Sequence, residues 1–172
     1  MLGIVLSGLK AGKQHFSWHL GKEFFESFDN SEILDADLFV EAAAEKSGDY
    51  TGIDCSIRGT LTVQCDRCLD DLQMPVDETV LLSVKFGRED ASSDTPGEGD
   101  GREVVYISPD ESEFDLSQTV YDFALLSLPL HRVHPEGGCN PEVLKHLSKE
   151  AAVGQAPADS PFAALKGLLD KK

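Results

Sequence analysis

Period-two alternation of apolar residues between Ile33 and Phe86 is the feature that most constrains this chain. Leu34, Ala36, Leu38, Val40 and Ala42 occupy alternate positions, and so do Ile53, Cys55, Ile57, Gly59, Leu61 and Val63. Successive side chains of an extended strand point to opposite faces. The pattern therefore lays one face on a core and turns the other to water. Lys46-Ser47-Gly48-Asp49 is a turn signal between the two runs. A third run, Thr79 to Phe86, follows Met74-Pro75. Three such runs joined by short turns predict an antiparallel meander.

The flanks add smaller elements. Leu2 to Ser7 and Gln14 to Leu20 read as strands, with Gly12 and Lys13 in the turn between them. Gly21 to Phe28 has room for one or two helical turns, with Phe24, Phe25 and Phe28 as the apolar face. Val104 to Ile107 is a short strand. Asp115 to Pro129 predicts a helix, capped by Asp115 and ended by Pro129. Leu116, Val120, Phe123 and Ser127 lie along one of its faces, so it should be buried against the sheet. Pro141 to Glu150 is a second helix. Residues 88–102 hold no large apolar side chain and read as a disordered acidic loop. Residues 151–159 read as a linker and 160–172 as a tethered C-terminal amphipathic helix, with Ser160 as cap and Pro161 in the first turn. That helix is free to dock on its own domain or on a partner. The expected class is α+β: an antiparallel β-sheet or partly closed barrel, a packed helix and the tethered helix.

Charge narrows the partners. The 172 residues hold 15 Lys and Arg against 31 Asp and Glu, a net charge of −16. Such a field repels phosphate backbones and favours basic proteins. Direct RNA contact would need a local patch, for which Arg67, Arg132 and Lys145 are the candidates. The apolar start has no basic region before it and no cleavage site, and no run reaches membrane-spanning length. The expectation is a cytoplasmic protein with no membrane contact, whose four cysteines are free or metal-bound rather than paired.

The sharpest local motif is Cys65-Asp-Arg-Cys68 at the end of a predicted strand. Two thiolates at this spacing can reach one tetrahedral ion from a tight turn. Downstream, His131-Arg-Val-His-Pro-Glu-Gly-Gly-Cys139 offers further donors. Cys65, Cys68, His134 and Cys139 make a chemically sensible Cys₃His zinc site. The same thiols can also be read as small buried hydrophobes. A redox role would need a helix N-terminus inside a βαβ unit, and the flanks here are strand-like. Cys55 alternates with Ile53 and Ile57 and reads as core. His15 and His19 share a strand face but stand well apart, and Trp18 reads as packing. There is no Gly-rich phosphate loop, no G-x-S-x-G and no H-E-x-x-H, so no catalytic residue is assigned.

The string Gly59-Thr-Leu-Thr-Val-Gln-Cys-Asp-Arg-Cys-Leu-Asp70 resembles the C-x-R-C-L signature of the YceD family. So does the order that follows: Asp115-Leu, then Leu125-Leu-Ser-Leu-Pro-Leu130, a His/Pro segment, Cys139 and the ending Ser160-Pro-Phe-Ala-Ala-Leu-Lys-Gly-Leu-Leu169. The resemblance implies a YceD-like domain over 1–150. It also implies a cytoplasmic role in accumulating large-subunit ribosomal RNA. Members are often encoded beside a small zinc-ribbon ribosomal protein, and some carry a second C-x-x-C where this chain has only Cys139. The first expectation is a non-enzymatic ribosome-biogenesis factor that contacts a basic ribosomal protein or assembly factor, with ribosomal RNA as a further partner. The alternatives are a metal-dependent RNA-processing hydrolase, with an open zinc position beside Glu136, and a zinc-handling module for a zinc-ribbon ribosomal protein.

Overall fold

A computed structural model describes residues 2–7, 9, 12–48, 50–87 and 101–152. Asp49, the acidic segment 88–100, the linker beyond residue 152 and the C-terminal helix expected over 160–172 lie outside the described residues. In chain order the elements are β1 (Gly3–Val5), β2 (Gln14–Leu20), α1 (Lys22–Glu26), β3 (Asp35–Ser47), β4 (Tyr50–Gln64), β5 (Asp71–Phe86), β6 (Glu103–Ile107), β7 (Glu113–Asp115), α2 (Ser117–Leu126) and α3 (Pro141–Ala152). They separate into two compact units. The first is bounded by Met1–Gln64 and Asp71–Arg132; the second takes Cys65–Asp70 together with the chain from Val133 onward, described to residue 152.

The first unit is built on an open five-stranded sheet in the order β2-β3-β4-β5-β6. Of the two architectures the alternation allows, the sheet forms and the barrel does not close. Its register matches apolar positions across strands: Val40 faces Ile57, Ala42 faces Cys55 and Ala44 faces Ile53. These side chains are all buried, as are Val80, Leu82 and Val84 on β5. Each large one contributes about 1.5–3 kcal/mol by leaving water. Cys55 is core, and burial alone pushes its thiol up to about 11.

One glycine is indispensable to this hairpin. Gly59 has φ +148°, and a Cβ there would lie 2.0 Å from the carbonyl oxygen of Asp37. The backbones of β3 and β4 approach closely at the Leu38–Gly59 pair, and only a residue without a side chain fits.

β5 starts at Asp71, well before the expected Thr79, and runs through Pro75. Pro75 faces Thr60 on β4, while β6 covers β5 only from Leu82 to Phe86. A proline is tolerated where no second ladder needs its missing N–H. β6 pairs with β5 in parallel, Val84 facing Val105, so the sheet is not a pure meander. A separate ribbon pairs β1 with β7, Ile4 opposite Phe114.

α1 and α2 bring aromatic rings together. Phe25 is fully buried, Phe28 stacks on Tyr121 at 4.3 Å, and the Asn30 amide donates to the Tyr121 hydroxyl at 2.9 Å. Of the face expected for α2, Leu116 and Val120 are buried while Phe123 and Ser127 are half-buried, and Ala124 is buried beside them. Its start differs from the expectation. Asp115 ends β7, Leu116 is the N-cap, and that cap makes no side-chain bond. Asp115 instead accepts from the N–H of Leu2 (3.1 Å), the N–H of Ser117 (2.9 Å) and the Ser117 hydroxyl (2.6 Å). Burial would raise this carboxyl, but these donors outweigh it and hold it below its usual value. Leu2 is thereby tied to the start of α2.

The outer face of the sheet is polar. Asp54, on β4, binds the Lys13 ammonium at 2.8 Å and also pairs with Arg102. The hydrogen bond from Lys13 is the main reason its carboxyl lies below the usual range. Arg102 also donates to the carbonyl of Leu82 at 3.1 Å.

Candidate metal centre

The second unit gathers four side chains of metal-ligating type. Cys65–Asp70 is the turn that joins β4 to β5 in the chain. The Cys65 N–H donates to the Asp70 carbonyl at 2.9 Å, and the Leu69 N–H donates to the Cys65 carbonyl at 2.9 Å. This double closure forces Leu69 into the left-handed region, with φ +62°. It also puts both thiols, Cys65 and Cys68, on the buried side, while Asp66, Arg67 and Leu69 stay exposed.

The other two donors come from a second tight turn. The Gly138 N–H donates to the Pro135 carbonyl at 2.8 Å, and Gly137 has φ +83°. A Cβ on Gly138 would crowd the His134 Cβ at 3.1 Å. The two glycines let the chain fold back so that Cys139 returns to His134. Asn140 then caps α3: its side-chain oxygen accepts from the Glu142 N–H at 3.0 Å, and Pro141 sits in the first turn, where its missing N–H costs nothing.

The ligand atoms of Cys65, Cys68, His134 and Cys139 all lie within 4.8 Å of one another. Cys65 Sγ is 3.9 Å from Cys139 Sγ. His134 Nδ1 is 3.4 Å from Cys68 Sγ and 3.9 Å from Cys139 Sγ. A tetrahedron with Zn–S of about 2.3 Å and Zn–N of about 2.0–2.1 Å has edges of about 3.8 Å between sulfurs and about 3.6 Å between sulfur and nitrogen. The three edges given lie within about 0.3 Å of these values and none of the others exceeds 4.8 Å, so the four donors are close enough to bind one ion. The sulfur separation is far beyond a disulfide bond, and all four cysteines are free thiols.

The electrostatics also fit a cation. Burial pushes the Cys65 thiol up, but the backbone N–H groups of Cys68, Arg67 and His134 and the Cys68 thiol outweigh it, and its pKa falls to about 6. Burial and the neighbouring sulfurs of Cys65 and Cys68 push Cys139 up. Three crowded sulfurs cannot all ionise alone, whereas a dication among them allows it.

The other candidates from the sequence fall elsewhere. His131 is exposed and outside this group, and Glu136 is exposed. His15 and His19 are exposed on the sheet, where His19 pairs with Asp37 and stacks on Phe39. Trp18 stacks on Phe16. Arg132 binds Glu32 at 3.3 Å, so a carboxylate already partly offsets that charge. Sequence reasoning missed Leu69 and Asn140 as builders of the site. Asn-Pro at 140–141 is a helix-start signal that could have located the second, whereas nothing in a leucine signals a left-handed backbone.

The model of the YceD family, described as large ribosomal RNA subunit accumulation protein YceD, matches residues 53–169, a span that holds all four donors. No curated protein and no solved structure matches the chain.

Proposed function

This chain belongs to the YceD family, and from that premise we propose that it is a non-enzymatic factor supporting accumulation or processing of large-subunit ribosomal RNA. It acts by holding a basic ribosomal protein or assembly factor. The family description supports the ribosomal setting. The net charge of −16 carries the choice of partner, because a field of that sign draws cationic proteins and repels bare RNA. The site of action is the cytoplasm, where thiols stay reduced. No helix among the described residues is long and apolar enough to cross a membrane.

Cys65, Cys68, His134 and Cys139 serve in this reading as ligands of one structural zinc. The ion would neutralise the sulfurs and fix the two turns. Four protein donors complete a tetrahedron and leave no position for water. That closed set weighs against the hydrolase reading, as does the exposed Glu136.

Two measurements test these statements. Affinity capture from lysate, with and without nuclease, should retain basic proteins after RNA is digested; partners that vanish with the RNA would refute protein-mediated attachment. Elemental analysis of the purified chain should find about one zinc per molecule, and Cys65→Ser should lower both zinc content and melting temperature. A metal-free protein of unchanged stability would refute the zinc assignment.

A further inference from the structure

β2 is an edge strand. β3 occupies one side of it over seven consecutive pairs, from Gln14–Ala44 to Leu20–Leu38, and among the described residues no strand pairs with the other side. Exposed edges are normally guarded by Lys, Pro, an inward charge or a bulge. β2 reads Gln14-His-Phe-Ser-Trp-His-Leu20 and has none of these, in a chain of which 27% of residues are charged.

The inner five residues of the strand, His15 to His19, are also a palindrome of residue class about Ser17. His15 mirrors His19, and Phe16 mirrors Trp18. A twofold interface needs this self-complementarity, because each residue must suit its own mirror position. We propose that two copies of this chain associate through the outer edge of β2, antiparallel, with the twofold axis at Ser17. Ser17 then faces Ser17, each His15 faces the other chain's His19, and each Phe16 faces the other chain's Trp18. Phe16 and Trp18 are half-buried on the core face of the sheet and already stacked at 6.0 Å with an interplanar angle of 9°. Pairing extends this stack into a ladder of four rings across two strands. The other edge strand, β6, has five residues, carries Glu103 and lacks such symmetry.

Charge fixes how the association responds to salt. Two molecules of net charge −16 repel at a distance, and their contact lies on a segment without Lys, Arg, Asp or Glu. Salt screens the repulsion, so the dimer tightens as salt rises. Binding of a basic partner weakens over the same range. The two proposals can therefore fail independently.

Sedimentation of the full chain through a dilution series, at low and high salt, tests this. The wild type should reach twice the 18.7 kDa chain mass, and at lower concentration in high salt. Ser17 is exposed and faces Glu41 on β3, so circular dichroism should first show that Ser17→Lys and Ser17→Glu keep the fold despite the changed cross-strand pair. Each variant alone should stay monomeric through like-charge repulsion at the axis, and a 1:1 mixture should regain the dimer mass. A wild type that stays monomeric throughout, a single variant that still dimerises, or a mixture that stays monomeric overturns the proposal. Hydrogen exchange of the wild type gives a check without mutation: the amides of β2 should slow as concentration rises, and a dimer that leaves them unchanged equally overturns it.

Discussion

Leu69 holds a backbone conformation that ordinary residues avoid, with φ +62°, and its side chain is 65% exposed. The left-handed region costs a non-glycine residue roughly 1–2 kcal/mol, and a glycine returns part of that gain through its freer unfolded chain. Leu69→Gly should therefore stabilise the protein by about 0.5–1 kcal/mol in chemical denaturation without changing zinc content. Cys65 gives a pH prediction. Its thiol pKa is lowered from 9.0 to about 6, so the folded state favours the thiolate. The resulting stability is fully present above pH 9 and is lost as pH falls through about 6. The shifts at Cys139 and Cys55 are upward and act only above 9, and those at Asp54 and Asp115 are downward from 3.8. Thermal melts of the reduced, metal-free protein should thus rise between pH 6 and pH 9, and Cys65→Ser should flatten that slope.

At the scale of elements, Gly59 tests the central hairpin. Gly59→Ala would drive a methyl group into the Asp37 carbonyl and should destabilise the protein by about 1–3 kcal/mol in a denaturant titration. The β3–β4 pair was legible because both strands bury one face and keep strict alternation for many residues. β5 was only half legible. Met74-Pro75 reads as a break, and whether a proline interrupts a strand depends on which neighbour lies beyond it, a tertiary fact. The parallel pairing of β6 left no trace, since five residues carry no register information of their own. Asp115 was correctly singled out at the start of α2, but its partner Leu2 lies 113 positions away, so the local pattern suggested an ordinary cap. In the candidate metal centre, spacing and residue type picked out four side chains whose ligand atoms lie within 4.8 Å of one another. The choice of His134 over His131 depends on the turn at Gly137 and Gly138, which places Cys139 beside the nearer imidazole.

For the whole molecule, the charge of −16 sets a measurable response. Retention of basic ribosomal components should fall steeply as salt rises from low to physiological strength and beyond, as the Debye length shrinks from about 30 Å at 0.01 M to about 8 Å at 0.15 M. Binding insensitive to salt would mean that apolar contact carries it. The donor set also has a temporal side. Cys65 and Cys139 stand 74 positions apart, so a nascent chain that has displayed its first two sulfurs still lacks the last one. Until Cys139 leaves the exit tunnel, a bound ion would have open coordination positions that chelators, other thiols or competing metals could fill. With zinc bound as proposed, the interval between those two moments of translation would be when the protein is most vulnerable to mismetallation.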